Sequence, residues 1–233
     1  MDLQLGKMFC IVSLCLVSTL QAFPTRIIVI RHAEKPIGTI PKVSLGNPNP
    51  YYSQGLTSEG QMRASYLVGY FLGIPQIMPP LFPDMISQNG APAINPITFI
   101  AACSTADEES SFRPLETITP LANALFPNDA ATLITEYDSQ NITQYLDRPL
   151  DPTIKTDIAK QTGTVVVCWK QGLIPGLILD FGVSAKNPTY VQAFPNGKYP
   201  RPHPFDLTFI ITYDTEKPGQ VTDFSVQKQI PSF

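Results

Sequence analysis

The chain has 233 residues, 43% of them hydrophobic, and a formal net charge of −3. That length holds one domain with a sizeable core. The small negative charge, with no basic stripe, excludes nucleic acid as an expected partner, and no His, Cys, Asp and Glu spacing suits a metal, so neither metal nor cofactor is expected.

The first 22 residues read as a secretory signal peptide. Lys7 precedes a run from Met8 to Leu20 without a charge, and Ala22 stands at a plausible cut site. The run is short for a bilayer span, which needs about 20 apolar residues. The expectation is a protein exported to the periplasm or secreted, with residues 23–233 as the domain and no stable membrane anchor after cleavage. An uncleaved N-terminal anchor is the alternative.

Residues 26–30 form a short β-branched run that ends on Arg31 and His32, so these two stand at the C-terminal end of a buried strand. In open α/β sheets ligand crevices form at that edge. Of the 24 prolines, 14 gather at 36–50, 75–96 and 195–204, which predicts long irregular loops, the segments that most often carry function. Thr57 is a fitting N-cap for a helix with Glu59 in its first turn. Met62, Tyr66 and Tyr70 follow at four-residue spacing, predicting its apolar face.

A second strand is expected over Ile97–Cys103 and a helix over Ser110–Leu125. Ala131–Thr135 reads as a short strand, and Asp138–Leu146 and Thr153–Gln161 as helices. Thr164–Trp169 is another buried strand, its tryptophan more suited to packing than to a ligand. Leu207–Tyr213 and Val221–Gln227 close the sheet, the last as an edge. Cys103 and Cys168 each end an apolar run, so they are either bridged, if their strands are neighbours, or two buried thiols. Alternating strands and helices predict a single three-layer α/β/α domain around a mostly parallel sheet.

A parallel sheet brings together Arg31 and His32, the segment leading to Arg113, and the Trp169-Lys170-Gln171 turn. Two arginines, a lysine, an imidazole and an amide suit an oxyanion, and phosphate best matches the arginine forks. The expected partner is a small phosphorylated substrate or phosphate ion. Histidine can attack phosphorus provided its second ring nitrogen is held by a hydrogen bond.

Four blocks then resemble the histidine phosphatase superfamily, the phosphoglycerate-mutase-like fold. They are Ile30-Arg31-His32-Ala33-Glu34-Lys35-Pro36, Leu56-Thr-Ser-Glu-Gly60-Gln-Met-Arg63-Ala64, Ser111-Phe-Arg113-Pro-Leu-Glu116-Thr117, and Val165-Val-Val-Cys-Trp169-Lys-Gln171-Gly-Leu-Ile-Pro175. They stand in the family's order between about Arg26 and Tyr213. The resemblance implies hydrolysis of a small phosphomonoester, with His32 as nucleophile and Arg31 and Arg113 as the phosphate clamp. It also implies an acid on the leaving group. Glu136 stands at a suitable distance for it, and Asp107 and Glu108 compete.

The chain departs from the family at Gln171, where a second histidine is expected. Lys170 or His203 are the groups that would restore the missing donor. The departure keeps a second reading open: a degenerate member that binds anions with little turnover. A mutase would require a protected phosphohistidine and a sugar or glycerate pocket that no motif marks.

Overall fold

The computed structural model describes residues 22–34, 55–104, 113–126, 143–146, 152–202 and 204–229. The predicted leader up to Gln21, the strand expected at 131–135, and Asp107, Glu108, Glu136 and His203 lie outside these residues. Among the described residues no helix is long and apolar enough to cross a membrane.

Six strands form one sheet: β1 (Arg26–Arg31), β2 (Ile97–Ser104), β3 (Thr143–Leu146), β4 (Thr164–Trp169), β5 (Leu207–Tyr213) and β6 (Val221–Lys228). Their spatial order is β3-β2-β4-β1-β5-β6. The first four are mutually parallel, with β4 between β1 and β2, whereas β5 runs antiparallel to both β1 and β6. A strand in the middle of such a sheet has both faces covered, which is why 27–30 and 164–168 read as unbroken apolar or β-branched runs. Val165, Val166, Val167 and Ile28 to Ile30 are fully buried, each worth about 1.5–3 kcal/mol of hydrophobic stabilisation.

Helices cover both faces. On one side α1 (Ser58–Leu72) and α2 (Arg113–Leu125) pack Leu67, Phe71, Leu115, Ile118 and Leu121 against Ile28, Ile30, Ile100 and Val166. On the other, α3 (Pro152–Ile158), α4 (Ile174–Asp180) and α5 (Pro188–Ala193) cover Ile27, Val29, Val165 and Val167. The architecture is three-layer α/β/α, as the alternation of elements predicts. Trp169 is buried in the second of these cores.

Two expectations need correction. Thr143–Leu146 is a strand paired in parallel with β2, where a helix was expected over 138–146. Four residues of parallel pairing override a local spacing that suggested helix. On α1 the buried positions are Gly60, Arg63, Ala64, Leu67, Gly69, Tyr70 and Phe71, so Tyr70 of the expected face is buried while Met62 is 56% exposed. Arg63 faces inward because an ion pair neutralises it there, as shown below, so the inward stripe is not purely apolar. Of the two states left open for Cys103 and Cys168, the structure has free and buried thiols. Their strands are neighbours, but Cys103 packs in the α3–α5 core and Cys168 in the α1–α2 core, on opposite faces of β2 and β4.

The loop from Gly73 to Pro96 is fastened at the opposite sheet edge. Arg26 Nη1 and Nη2 donate to Asp84 Oδ1 and Oδ2, both at 3.1 Å, and Asn95 Nδ2 donates to Asp84 Oδ2 at 2.8 Å. The Arg26 guanidinium also lies 3.8 Å from the centre of the Phe82 ring.

Candidate anion site at the carboxyl edge of the sheet

β1, β4 and β2 lie side by side and parallel, so their C-terminal ends meet at one edge. Pairing of β1 with β4 continues one residue past the strand, where His32 N–H donates to Trp169 O at 3.2 Å. This fixes His32 beside the Trp169-Lys170-Gln171 turn. That turn closes through Leu173 N–H to Lys170 O (3.0 Å) and Ile174 N–H to Gln171 O (3.3 Å), which starts α4. Lys170 and Gln171 are both half-buried at this edge.

His32 is 5% exposed, and its Nδ1 lies 2.7 Å from Ala33 O. A carbonyl only accepts, so Nδ1 carries a proton, and when the ring is neutral its lone pair is on Nε2. That is the hydrogen bond a nucleophilic imidazole requires.

The helix carrying Arg113 is tied to the same loop. Ala33 N–H donates to Thr117 Oγ1 at 2.8 Å, and Thr117 Oγ1 donates to Arg113 O at 2.6 Å. Thr117 is fully buried, so this chain of bonds sets the first turn of α2 against the residue after His32. Arg113 is the first residue of that helix. Cys168 packs on the same threonine, and burial pushes its thiol well above its ordinary range, which leaves it unreactive.

The start of α1 docks on the loop from the other side. Thr57 N–H donates to Glu34 O at 3.1 Å, and Thr57 Oγ1 caps the helix by accepting from Gly60 N–H at 3.1 Å. A Cβ on Gly60 would stand 2.6 Å from Glu34 O, so this close approach requires glycine. Glu116 Oε2 accepts from Leu56 N–H at 2.8 Å and holds the segment before the helix. From α1, Arg63 reaches back to Glu34: Nε donates to both carboxylate oxygens (2.7 and 3.0 Å) and Nη2 to Oε1 (2.5 Å).

Arg31 is 2% exposed. Burial lowers its pKa to about 10; Tyr199 and Glu34 oppose the shift, while Arg113 and Arg63 add to it. Arg113 is also lowered by burial, with Glu116 opposing. At neutral pH both remain cationic. Arg31 thus holds its charge in a desolvated place close to Arg113, while the nearby Arg63 is neutralised by Glu34, an environment that suits an anion.

The structure therefore brings Arg31, His32, Arg113, Lys170 and Gln171 to one edge, as parallel topology predicts. Sequence reasoning assigned no role to Glu34, Thr117 or Phe205. Glu34, Arg63 and Thr117 all fall within the four blocks, but no local spacing marks the Arg63–Glu34 pair. The Phe205 ring lies 3.6 Å from the Arg31 guanidinium and 6.3 Å from the His32 ring, edge-on.

Among solved structures the chain is similar to one described as "the putative phosphohistidine phosphatase SixA from Agrobacterium tumefaciens", with a TM-score of 0.45 and 14% identity. The similarity covers 88% of this chain and 99% of that one. No family model matches the chain, and no curated protein matches it.

Proposed function

We propose that the chain is an exported phosphatase of the histidine phosphatase type, acting on a small phosphomonoester. The observation that carries this reading is the His32 Nδ1 to Ala33 O bond, beside the buried Arg31, whose charge and that of the half-buried Arg113 repel. It leaves Nε2 with a lone pair where a phosphoryl group would be drawn in.

In this reading the ester's phosphoryl oxygens lie between Arg31 and Arg113. The Nε2 lone pair attacks phosphorus, and the bond from phosphorus to the ester oxygen breaks. An acid gives the departing alkoxide a proton, a role we assign to Glu136. Water then attacks the phosphohistidine, the P–N bond breaks, and inorganic phosphate leaves. Arginine forks suit the equatorial oxygens, where charge gathers in the transition state. Gln171 donates from its amide in place of the family's second histidine, with Lys170 beside it as a further cation.

Gln171 also favours the second reading, an anion-binding module with little turnover. A neutral amide gives a hydrogen bond about half as strong as a charged donor, and loss of one transition-state donor costs about 10²–10³ in rate. The experiment that separates the two is hydrolysis of a phosphomonoester panel by the chain and by His32→Ala. Turnover abolished in the variant supports the enzyme. Equal, negligible turnover in both, with inorganic phosphate still bound, supports the binding module.

A further inference from the structure

We infer that Phe205 is a positioning residue that sets the plane of Arg31 for anion capture, an inference that rests on the anion-site reading above. Phe205 lies in the irregular segment between Tyr199 and β5, far from Arg31 in sequence. The segment touches Arg31 in three ways. The guanidinium lies 3.6 Å from the Phe205 ring centre and 5.8 Å from that of Tyr199. Arg31 Nη1 donates to Pro204 O at 3.3 Å. Tyr199 Oη donates to that same carbonyl at 3.0 Å, so the acceptor is itself held in place.

An arginine fork binds two phosphate oxygens only when its plane faces them. A ring 3.6 Å away restricts that plane, and it does so without a second negative charge that would compete with phosphate. Cation–π attraction strengthens when the pair is desolvated, and Arg31 is nearly inaccessible to solvent. The same ring stands edge-on to His32 at 6.3 Å, with 64° between the planes. One side chain therefore abuts both the candidate clamp and the candidate nucleophile. Phe205 is half-buried, and Tyr199 is buried and held uncharged, its phenol pushed far above the ordinary range by burial. The Tyr199 to Pro204 hydrogen bond anchors the acceptor of Arg31, and Phe205 is the contact face.

The test uses the full chain with inorganic phosphate as probe, titrated calorimetrically at neutral pH, alongside Phe205→Leu and Phe205→Tyr. Leucine keeps apolar bulk but has no ring face, whereas tyrosine keeps the face. The expected result is phosphate affinity about tenfold weaker in Phe205→Leu and within about twofold of the parent in Phe205→Tyr, with similar melting temperatures for all three. Equal affinity in the leucine variant, with phosphate bound by the parent, overturns the role of Phe205 and leaves the anion site standing. Absence of phosphate binding by the parent overturns both. Equal weakening in both variants also overturns the inference, because a loss that the aromatic ring does not rescue is general packing damage.

Discussion

Ala33 N–H donates to Thr117 Oγ1 at 2.8 Å, and this bond joins the loop that carries His32 to the helix that begins with Arg113. The two residues are 84 positions apart, and the threonine is fully buried. Replacing Thr117 with valine keeps the shape but leaves a buried amide without an acceptor. The expected cost is about 1–3 kcal/mol of stability. Phosphate affinity should also fall, because Arg113 loses its tether to His32. Thr117→Ser should retain both properties. Denaturant unfolding and phosphate titration of the pair check this, and a valine variant that matches the parent in both would contradict it.

The contact between Gly60 and Glu34 O leaves no room for a methyl group. Gly60→Ala must push the first turn of α1 away from the loop after His32 or shift that loop. Overpacking of this kind costs about 1–3 kcal/mol. A thermal melt with no loss of stability would show that the helix accommodates the methyl.

Asp84 supplies a pH dependence whose sign is fixed. Burial acts to raise its pKa, but hydrogen bonds from Arg26 and Asn95 and the arginine's charge outweigh it, so the folded value lies below the ordinary 3.8. An acid depressed in the folded state stabilises fully above its unfolded pKa and loses that contribution as pH falls through the folded value. Asp84→Asn should therefore be less stable than the parent at neutral pH. The difference should shrink as pH drops below about 3.8. Denaturation midpoints across that range check it, and a constant difference would show that the ion pair is not its source.

Gln171 is the position where a gain of function is expected. Histidine there would return a donor that can carry charge, and Gln171→His should raise phosphomonoester turnover about 100-fold. Initial rates on one ester check this. Unchanged turnover would place the defect, if any, elsewhere in the site.

How far the sequence reveals this molecule depends on where the interactions lie along the chain. The central strands are legible because burial on both faces leaves runs such as Thr164–Trp169 with little ambiguity, and parallel order then predicts the meeting of Arg31, Arg113 and Gln171. The inward face of α1 is not legible from apolar spacing, because Gly60 and Arg63 occupy core-facing positions for reasons of close approach and ion pairing. Thr143–Leu146 is too short for its pairing with β2 to leave a period. Phe205 gives no local signal at all. The proline-rich stretch from 195 to 204 reads as an irregular loop, but only the fold shows that its end reaches Arg31.

The central claim is that His32 accepts a phosphoryl group. The most direct measurement is rapid quenching of the chain with a turning-over phosphomonoester, followed by mass spectrometry under alkaline conditions that preserve phosphohistidine. The account predicts a phosphoryl group on His32, absent from His32→Ala. Hydrolysis that proceeds with no phosphoryl group on His32, or that survives in His32→Ala, would contradict it.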